Sequence, residues 1–199
     1  MPEGRGSADG AEPMVIDGSE LVIVTGGPGS GKTTLVDALE RTGLARTEEA
    51  GRAIIQDQLA VGGRALPWQD RALFAELMLA QELRTHRSAP RGGGPVVCDR
   101  GVPDLVGYLR LEGLPVPAHV TAAARKFRYH RLVFVTPPWP EIYEQDAERK
   151  QSYGLAVRTC EAMETAYPEF GYDLVHVPRV TVRERVAFVR EALGLPAVS

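Results

Sequence analysis

The sequence predicts an α/β fold, a mostly parallel sheet with helices on both faces. Three observations predict it. Short apolar runs alternate with helical patterns along most of the chain. The first apolar run, Leu21-Val22-Ile23-Val24, leads straight into a glycine-rich loop and then a helix. No repeat, low-complexity tract or linker divides the body of the chain, and 199 residues suit one domain. Residues 1–18 are small, polar and rich in Gly and Pro, so a disordered tail is expected there, ahead of a single domain over 19–199.

The elements follow in order. Leu21–Thr25 reads as a strand buried on both faces, because consecutive apolar residues need cover on each side. Lys32–Arg41 reads as the first helix. Leu44–Glu48 is a short second strand. Ala50–Leu59 has helical composition and stops at Gly62-Gly63. Trp68–His86 is a longer helix with Leu73, Phe74, Leu77, Met78 and Leu83 to bury. The glycine run 92–94 and Pro95 break the chain before the strand Val96–Asp99. Pro103–Leu111 suits a helix with proline in its first turn, and Pro117–Tyr129 suits another. Arg131–Thr136 is a strand stopped by Pro137-Pro138. Tyr153–Tyr167 is helical in composition and Leu174–Val177 is the last strand. Thr181–Leu193 is an amphipathic helix with Val182, Val186, Val189 and Leu193 on one face, and Thr181 and Glu184 have capping-box spacing.

The run Gly26-Gly27-Pro28-Gly29-Ser30-Gly31-Lys32-Thr33 fits the Walker A phosphate loop, G-x-x-x-x-G-K-[ST]. Its context, strand before and helix after, is the one the chemistry requires. Glycines let backbone N–H groups converge on phosphate oxygens, and the helix N-terminus adds partial positive charge. Gly27, Pro28, Gly29, Ser30, Gly31, Lys32, Thr33 and Thr34 are therefore expected to hold a nucleotide, ATP or GTP. Lys32 meets the β- and γ-phosphates, and the Thr33 hydroxyl ligates Mg²⁺. Ser30 belongs to the loop and is not read as a nucleophile. The ligand should lie beyond the carboxyl ends of the strands.

Composition narrows the partners. A hydrophobic share of 44% and a charged share of 25% are ordinary for a globular protein. A net charge of −3 gives no global basic field, so neither nucleic acid nor membrane is expected as a partner. No apolar run reaches membrane-spanning length, and the first residues are unlike a signal peptide, so a cytoplasmic location is expected. Cys98 and Cys160 have no zinc or redox spacing, and the four histidines have no metal spacing.

Asp99 ends the apolar strand Val96-Val97-Cys98, as a Walker B acid does. It can hold Mg²⁺, take a proton from an acceptor hydroxyl, or merely cap the next helix. Arg100 can bridge phosphates or grip an acceptor, or it can pair with Asp104. Glu48, Glu49 and Arg52 lie near the end of the second strand, where they face an acceptor or form a solvated pair. The charged segment Asp146–Lys150 is read as a lid in which Arg149 or Lys150 neutralises charge during transfer, joined by Arg158, or as a solvated face. Trp68 and Tyr108 are candidates for an acceptor pocket or for the core.

Several segments together resemble a known family. They are Gly26–Thr34, Glu49–Ile55, Gly62–Trp68, Cys98–Asp104 with Tyr108, Asp146–Arg149, Gly171-Tyr172 and Val177-Pro178. The likeness spans roughly Glu20 to Leu195. It is to small P-loop ATP-binding proteins labelled AAA, which are similar to the kinase domain of the bifunctional regulator of NAD synthesis and more distantly to nucleoside and nucleotide kinases. The resemblance implies a P-loop three-layer sandwich with a five-stranded parallel core, a helical acceptor region and a short lid. It implies that Lys32 and Thr33 serve ATP and Mg²⁺, that Asp99-Arg100 corresponds to the acid–Arg pair after the third strand of nucleoside kinases, that Glu49 is an acceptor-side carboxylate and that Arg149 is a lid arginine. Nothing in the sequence suggests the helical domain or intersubunit arginine of a ring-forming motor.

Two functions are consistent with these residues. One is a Mg²⁺–ATP-dependent phosphotransferase acting on a hydroxyl of a small polar molecule, with Asp99 or Glu49 orienting or deprotonating that hydroxyl. The other is a nucleotide-dependent binding module with slow hydrolysis. The guanine-reading Asn-Lys-x-Asp of switch GTPases is absent. A kinase requires a cleft opposite the phosphate loop, expected to be lined by Glu49, Arg52, Arg100 and Asp104. A module predicts an exposed apolar or basic patch instead.

Overall fold

β1 (Leu21–Gly26) runs through the centre of the protein, and Leu21, Val22, Ile23 and Val24 are all fully buried. The computed structural model describes residues 15–143 and 152–197. On one side β1 pairs in parallel with β3 (Val96–Asp99), and beyond it lies β2 (Ala45–Arg46). On the other side come β4 (Leu132–Thr136) and β5 (Asp173–His176). The five strands are parallel, in the order β2-β3-β1-β4-β5.

Alternation along β1 builds the three layers. Leu21 and Ile23 face a core made with α3 (Arg71–Ser88), α4 (Val102–Leu111), α5 (Ala118–Lys126) and α6 (Tyr153–Glu169). Val22 and Val24 face the opposite core, formed with α1 (Lys32–Arg41) and α7 (Val182–Ala192). A third, small cluster of Ala50, Ile54 and Phe74 packs α2 (Ala50–Val61) against α3.

The helix ends follow local chemistry. Gly62 closes α2 in the left-handed conformation, φ 67°. Asp70 caps α3 by accepting from Leu73 N at 3.0 Å, so the helix starts at Arg71 and not at Trp68. The expected Thr181–Glu184 capping box is present, Glu184 accepting from Thr181 N at 3.0 Å.

Further sequence expectations shift. The second strand is shorter than 44–48, because only Ala45 and Arg46 pair with β3. The fifth helix ends at Lys126 and not at Tyr129, because Phe127 bridges Ile16. That bridge also pins the described end of the expected tail: Ile16 N donates to Lys126 O at 2.8 Å and Arg128 N to Ile16 O at 3.0 Å. Among the described residues, no helix is long and apolar enough to cross a membrane.

Candidate active site

The phosphate loop joins β1 to α1 at the carboxyl edge of the sheet. Gly29 and Gly31 hold φ values of 69° and 74°, a left-handed conformation that side chains resist. The loop is tied down behind the site. Ser30 Oγ donates to Gly27 O at 2.8 Å and lies 2.7 Å from the Thr136 hydroxyl at the end of β4. Lys32 is buried and ion-paired with Asp99 at the end of β3, which the Val24–Asp99 register places beside β1.

A cavity of about 810 Å³ opens over this loop, lined by every residue from Gly27 to Thr34. Glu49, Arg52 and Arg100 border its inner side. Trp139, Ile142, Tyr143 and the segment from Val180 to Val182, with Arg185, also line the cavity, and Tyr143 and Ile142 stand against Gly29 and Gly31. Arg185, 2% exposed, donates to Ser30 O at 3.3 Å and Gly31 O at 3.5 Å, and its guanidinium stands 5.8 Å from the Trp139 ring centroid. Burial lowers its pKa. Arg185 and Trp139 are absent from the sequence reading, which saw only the apolar face of the last helix. A buried-side arginine in its first turn was the available signal.

A second cavity, about 370 Å³, adjoins the first and shares Pro28, Glu49 and Arg100 with it. Its walls are mainly apolar: Ile55, Phe74, Met78, Leu105, Leu111 and Met163, with Trp68 and Tyr108 at the positions the sequence offered as pocket candidates. Phe74 and Tyr108 meet edge to face at 5.8 Å.

The charged residues between the cavities form one network. Arg100 has φ 77°, uncommon for a residue with a side chain. Its guanidinium lies 3.7 Å from Glu49 and 3.2 Å from Asp104. Burial works against its charge, but the carboxylates of Asp104, Glu49 and Asp99 outweigh that and hold its pKa well above the ordinary value. Glu49 also lies 3.9 Å from Arg52.

Asp104, expected to touch substrate, lines the second cavity, and its carboxylate is also engaged within the protein. It accepts from the Thr25 hydroxyl at 2.5 Å, Gly101 N at 3.0 Å, Arg100 and the Tyr167 hydroxyl. It therefore caps α4 and orients Arg100. Asp99 borders neither cavity, being buried against Lys32. Arg158 is exposed and borders neither cavity. Asp146–Lys150, including Arg149, lie outside the described residues.

Glu82 is a further residue that sequence reasoning missed. It borders the second cavity at 6% exposure. Burial raises its pKa to about 8, helped by the nearby charges of Asp104 and Asp99. Its signal was position: Ala75, Leu79, Glu82 and His86 fall on one buried helical stripe. Cys98 is core, its thiol pushed up to about 12 by burial.

Among the described residues, no group of three His, Cys, Asp or Glu is placed to hold a metal. Mg²⁺ needs fewer protein ligands than that, since phosphate oxygens and water complete its shell. Thr33 in the first cavity and Asp99 beside Lys32 are hard oxygen donors of the right kind.

This fold and site define a P-loop nucleotide-binding protein of nucleoside and nucleotide kinase architecture. A family model described as an AAA domain matches residues 21–185, and the chain belongs to that family. No curated protein matches the chain. Among solved structures it is similar to NadR in complex with NR, with 20% identity and a TM-score of 0.67 over 91% of this chain and 53% of the other. The chain thus spans about half the length of that protein. It is also similar to thymidylate kinase from Ehrlichia chaffeensis, with 13% identity and a TM-score of 0.59 over 90% of this chain and 100% of the other. Deoxyadenosine kinase from M. mycoides shares 12% identity at a TM-score of 0.57, over 87% and 98% of the two chains. These likenesses establish the fold.

Proposed function

We propose that this protein is a Mg²⁺–nucleotide-dependent phosphotransferase that moves the γ-phosphoryl group of ATP to a hydroxyl of a small molecule. The observation that carries the reading is the pair of adjoining cavities with Glu49 and Arg100 in their common wall. One is built for phosphates. The other has the size and apolar lining of a small-molecule pocket, and the binding-module alternative does not require it.

In this reading the chemistry is positioning and charge neutralisation. Lys32 and the loop backbone hold the β- and γ-phosphates. Mg²⁺, held by Thr33 and Asp99, supplies neutralisation of phosphate charge when bound. Glu49 borders both cavities, so it is the better-placed acid to orient the acceptor hydroxyl and take its proton. Asp99, enclosed against Lys32, serves that lysine and the metal. Arg100 and Arg52 balance Glu49 and the transferred phosphoryl, and Asp104 positions Arg100. Arg149 retains the lid role that the family resemblance implies. Trp139, which lines the nucleotide cavity, is the ring against which the base would stack, and Arg185 braces the loop beneath it. ATP is favoured by the family resemblance, and a cytoplasmic location suits a soluble metabolite as the partner.

The test is ATP consumption with Mg²⁺ across a pooled library of hydroxyl-bearing metabolites and antibiotics, with product masses searched for one added phosphoryl group. A product that is formed by wild type and lost in Asp99→Asn supports the kinase. Glu49→Gln is expected to lower kcat by about 10²–10⁴ with nucleotide affinity intact. Nucleotide binding with no product from any acceptor would favour the binding module.

A further inference from the structure

Resting on the phosphate loop as the nucleotide site, and not on phosphoryl transfer, we propose that Arg185 is a positioning residue for the nucleotide's β-phosphate. From behind the loop its guanidinium holds two peptide units with their N–H groups toward that phosphate, and it supplies a positive charge whose counter-charge arrives with the nucleotide.

The argument begins with the peptide bond. Each planar trans unit carries the C=O of one residue and the N–H of the next, projecting in opposite directions. Arg185 donates to Ser30 O at 3.3 Å and to Gly31 O at 3.5 Å. Those two units carry the N–H groups of Gly31 and Lys32, which therefore project away from the guanidinium. Both residues line the nucleotide cavity, and among the described residues neither N–H has a hydrogen-bond partner. A cation on a carbonyl polarises its peptide unit and makes the N–H across it a stronger donor. The loop benefits from such a hold, because Gly29 and Gly31, at φ 69° and 74°, give it glycine's freedom to turn. The fit is close: a Cβ at Gly31 would stand 2.7 Å from Arg185 Nη1.

Charge gives a second, independent line. Buried charges are paired or costly, and Arg185 is almost wholly buried. Among the described residues no carboxylate pairs with it. Glu184, its neighbour in the chain, is turned to Thr181 in the capping box. The polar partners of Arg185 are the two loop carbonyls, and its Nε is buried without an acceptor. An uncompensated cation therefore stands in the wall of the cavity that receives a polyphosphate. Because the guanidinium is enclosed, it acts through the loop and through space, not by touching the phosphate.

Calorimetry on the full chain with Mg²⁺ tests this. The probes are ADP, which carries a β-phosphate, and AMP, which shares its base, sugar and α-phosphate. Arg185→Met and Arg185→Gln are each expected to weaken ADP binding by about tenfold or more and AMP binding by less than about threefold. Arg185→Lys keeps the charge and is expected to stay within about threefold of wild type for ADP. Circular dichroism checks that each variant is folded. Glutamine can still donate to a loop carbonyl, so Arg185→Gln carries the test if Arg185→Met does not fold. A merely structural arginine would lower both affinities together, because damage to the loop or to the base contacts does not single out the β-phosphate. Equal losses for AMP and ADP, unchanged ADP affinity in Arg185→Gln, or an Arg185→Lys as weak as Arg185→Gln overturns the assignment. Failure of wild type to bind ADP removes the nucleotide site and this inference with it, whereas a wild type that prefers ADP beside variants that keep the full preference overturns this inference alone.

Discussion

Asp104→Asn separates a structural carboxylate from a substrate-binding one. In the folded protein Oδ1 accepts from the Thr25 hydroxyl and Arg100, and Oδ2 accepts from Gly101 N and the Tyr167 hydroxyl. An asparagine amide must place its NH₂ at one of these two positions. At the first it opposes the Arg100 guanidinium, and at the second the Gly101 N–H. Both are donors that cannot turn into acceptors. The hydroxyls of Thr25 and Tyr167 can rotate to accept, so one opposed donor remains either way, along with the lost charge pairing to Arg100. Leaving one partner of a buried pair uncompensated costs about 3 kcal/mol. For a chain of this size that corresponds to a fall in Tm of roughly 6–12 °C. The assay is thermal unfolding followed by circular dichroism, with Thr25→Val as a milder companion that removes a single hydroxyl. A fall of less than about 2 °C, within the range of surface substitutions, would refute the assignment. It would return Asp104 to the acceptor-contacting role that its sequence position suggests.

The Lys32–Asp99 pair is buried, so Lys32→Met and Asp99→Asn should each lose about 3 kcal/mol in urea unfolding, and the double variant Lys32→Met/Asp99→Asn should lose less than the two together. Full additivity would show that the two groups do not interact. Glu82 gives a pH signature. Its pKa is raised from 4.5 to about 8, chiefly by burial, so the unfolded chain releases this proton at lower pH than the folded one. Stability should therefore fall as pH rises through 5 to 8 and level off above that, and Glu82→Gln should flatten the slope in chemical denaturation. An identical slope in both proteins would contradict the buried, neutral carboxyl. Trp139→Ala should weaken nucleotide binding by about tenfold through loss of a ring that lines the nucleotide cavity. Unaltered nucleotide affinity would move the base away from Trp139.

What was legible in the sequence was whatever is contiguous. The phosphate loop could be read because β1, the glycine turn and α1 follow one another, and each of Gly29, Gly31 and Lys32 acts through its local backbone or its own charge. Asp99 could be read because an acid directly after three apolar residues marks a strand end. The acceptor side was only half legible. Glu49 and Arg52 meet locally at the start of α2, but whether Arg100 joins them depends on β3 lying between β1 and β2, which no local pattern specifies. Asp104 shows the difficulty most clearly. Its spacing from Arg100 is that of a helical ion pair, and the pair forms, but two of its other partners, Thr25 and Tyr167, come from β1 and α6. Those contacts give a residue that also lines the second cavity an internal supporting role that no local pattern shows. Glu82 is the converse case. Hydrophobic periodicity treats a glutamate as a solvent-facing residue, so the pattern does not reveal its place on the buried stripe of α3, although an acid on such a stripe is where sequence pattern and function are expected to conflict. The conflict itself is informative. Burying a carboxyl at a position the pattern marks as core costs stability, and the raised pKa of Glu82 records that cost, so local pattern and burial disagree at a residue that borders the second cavity.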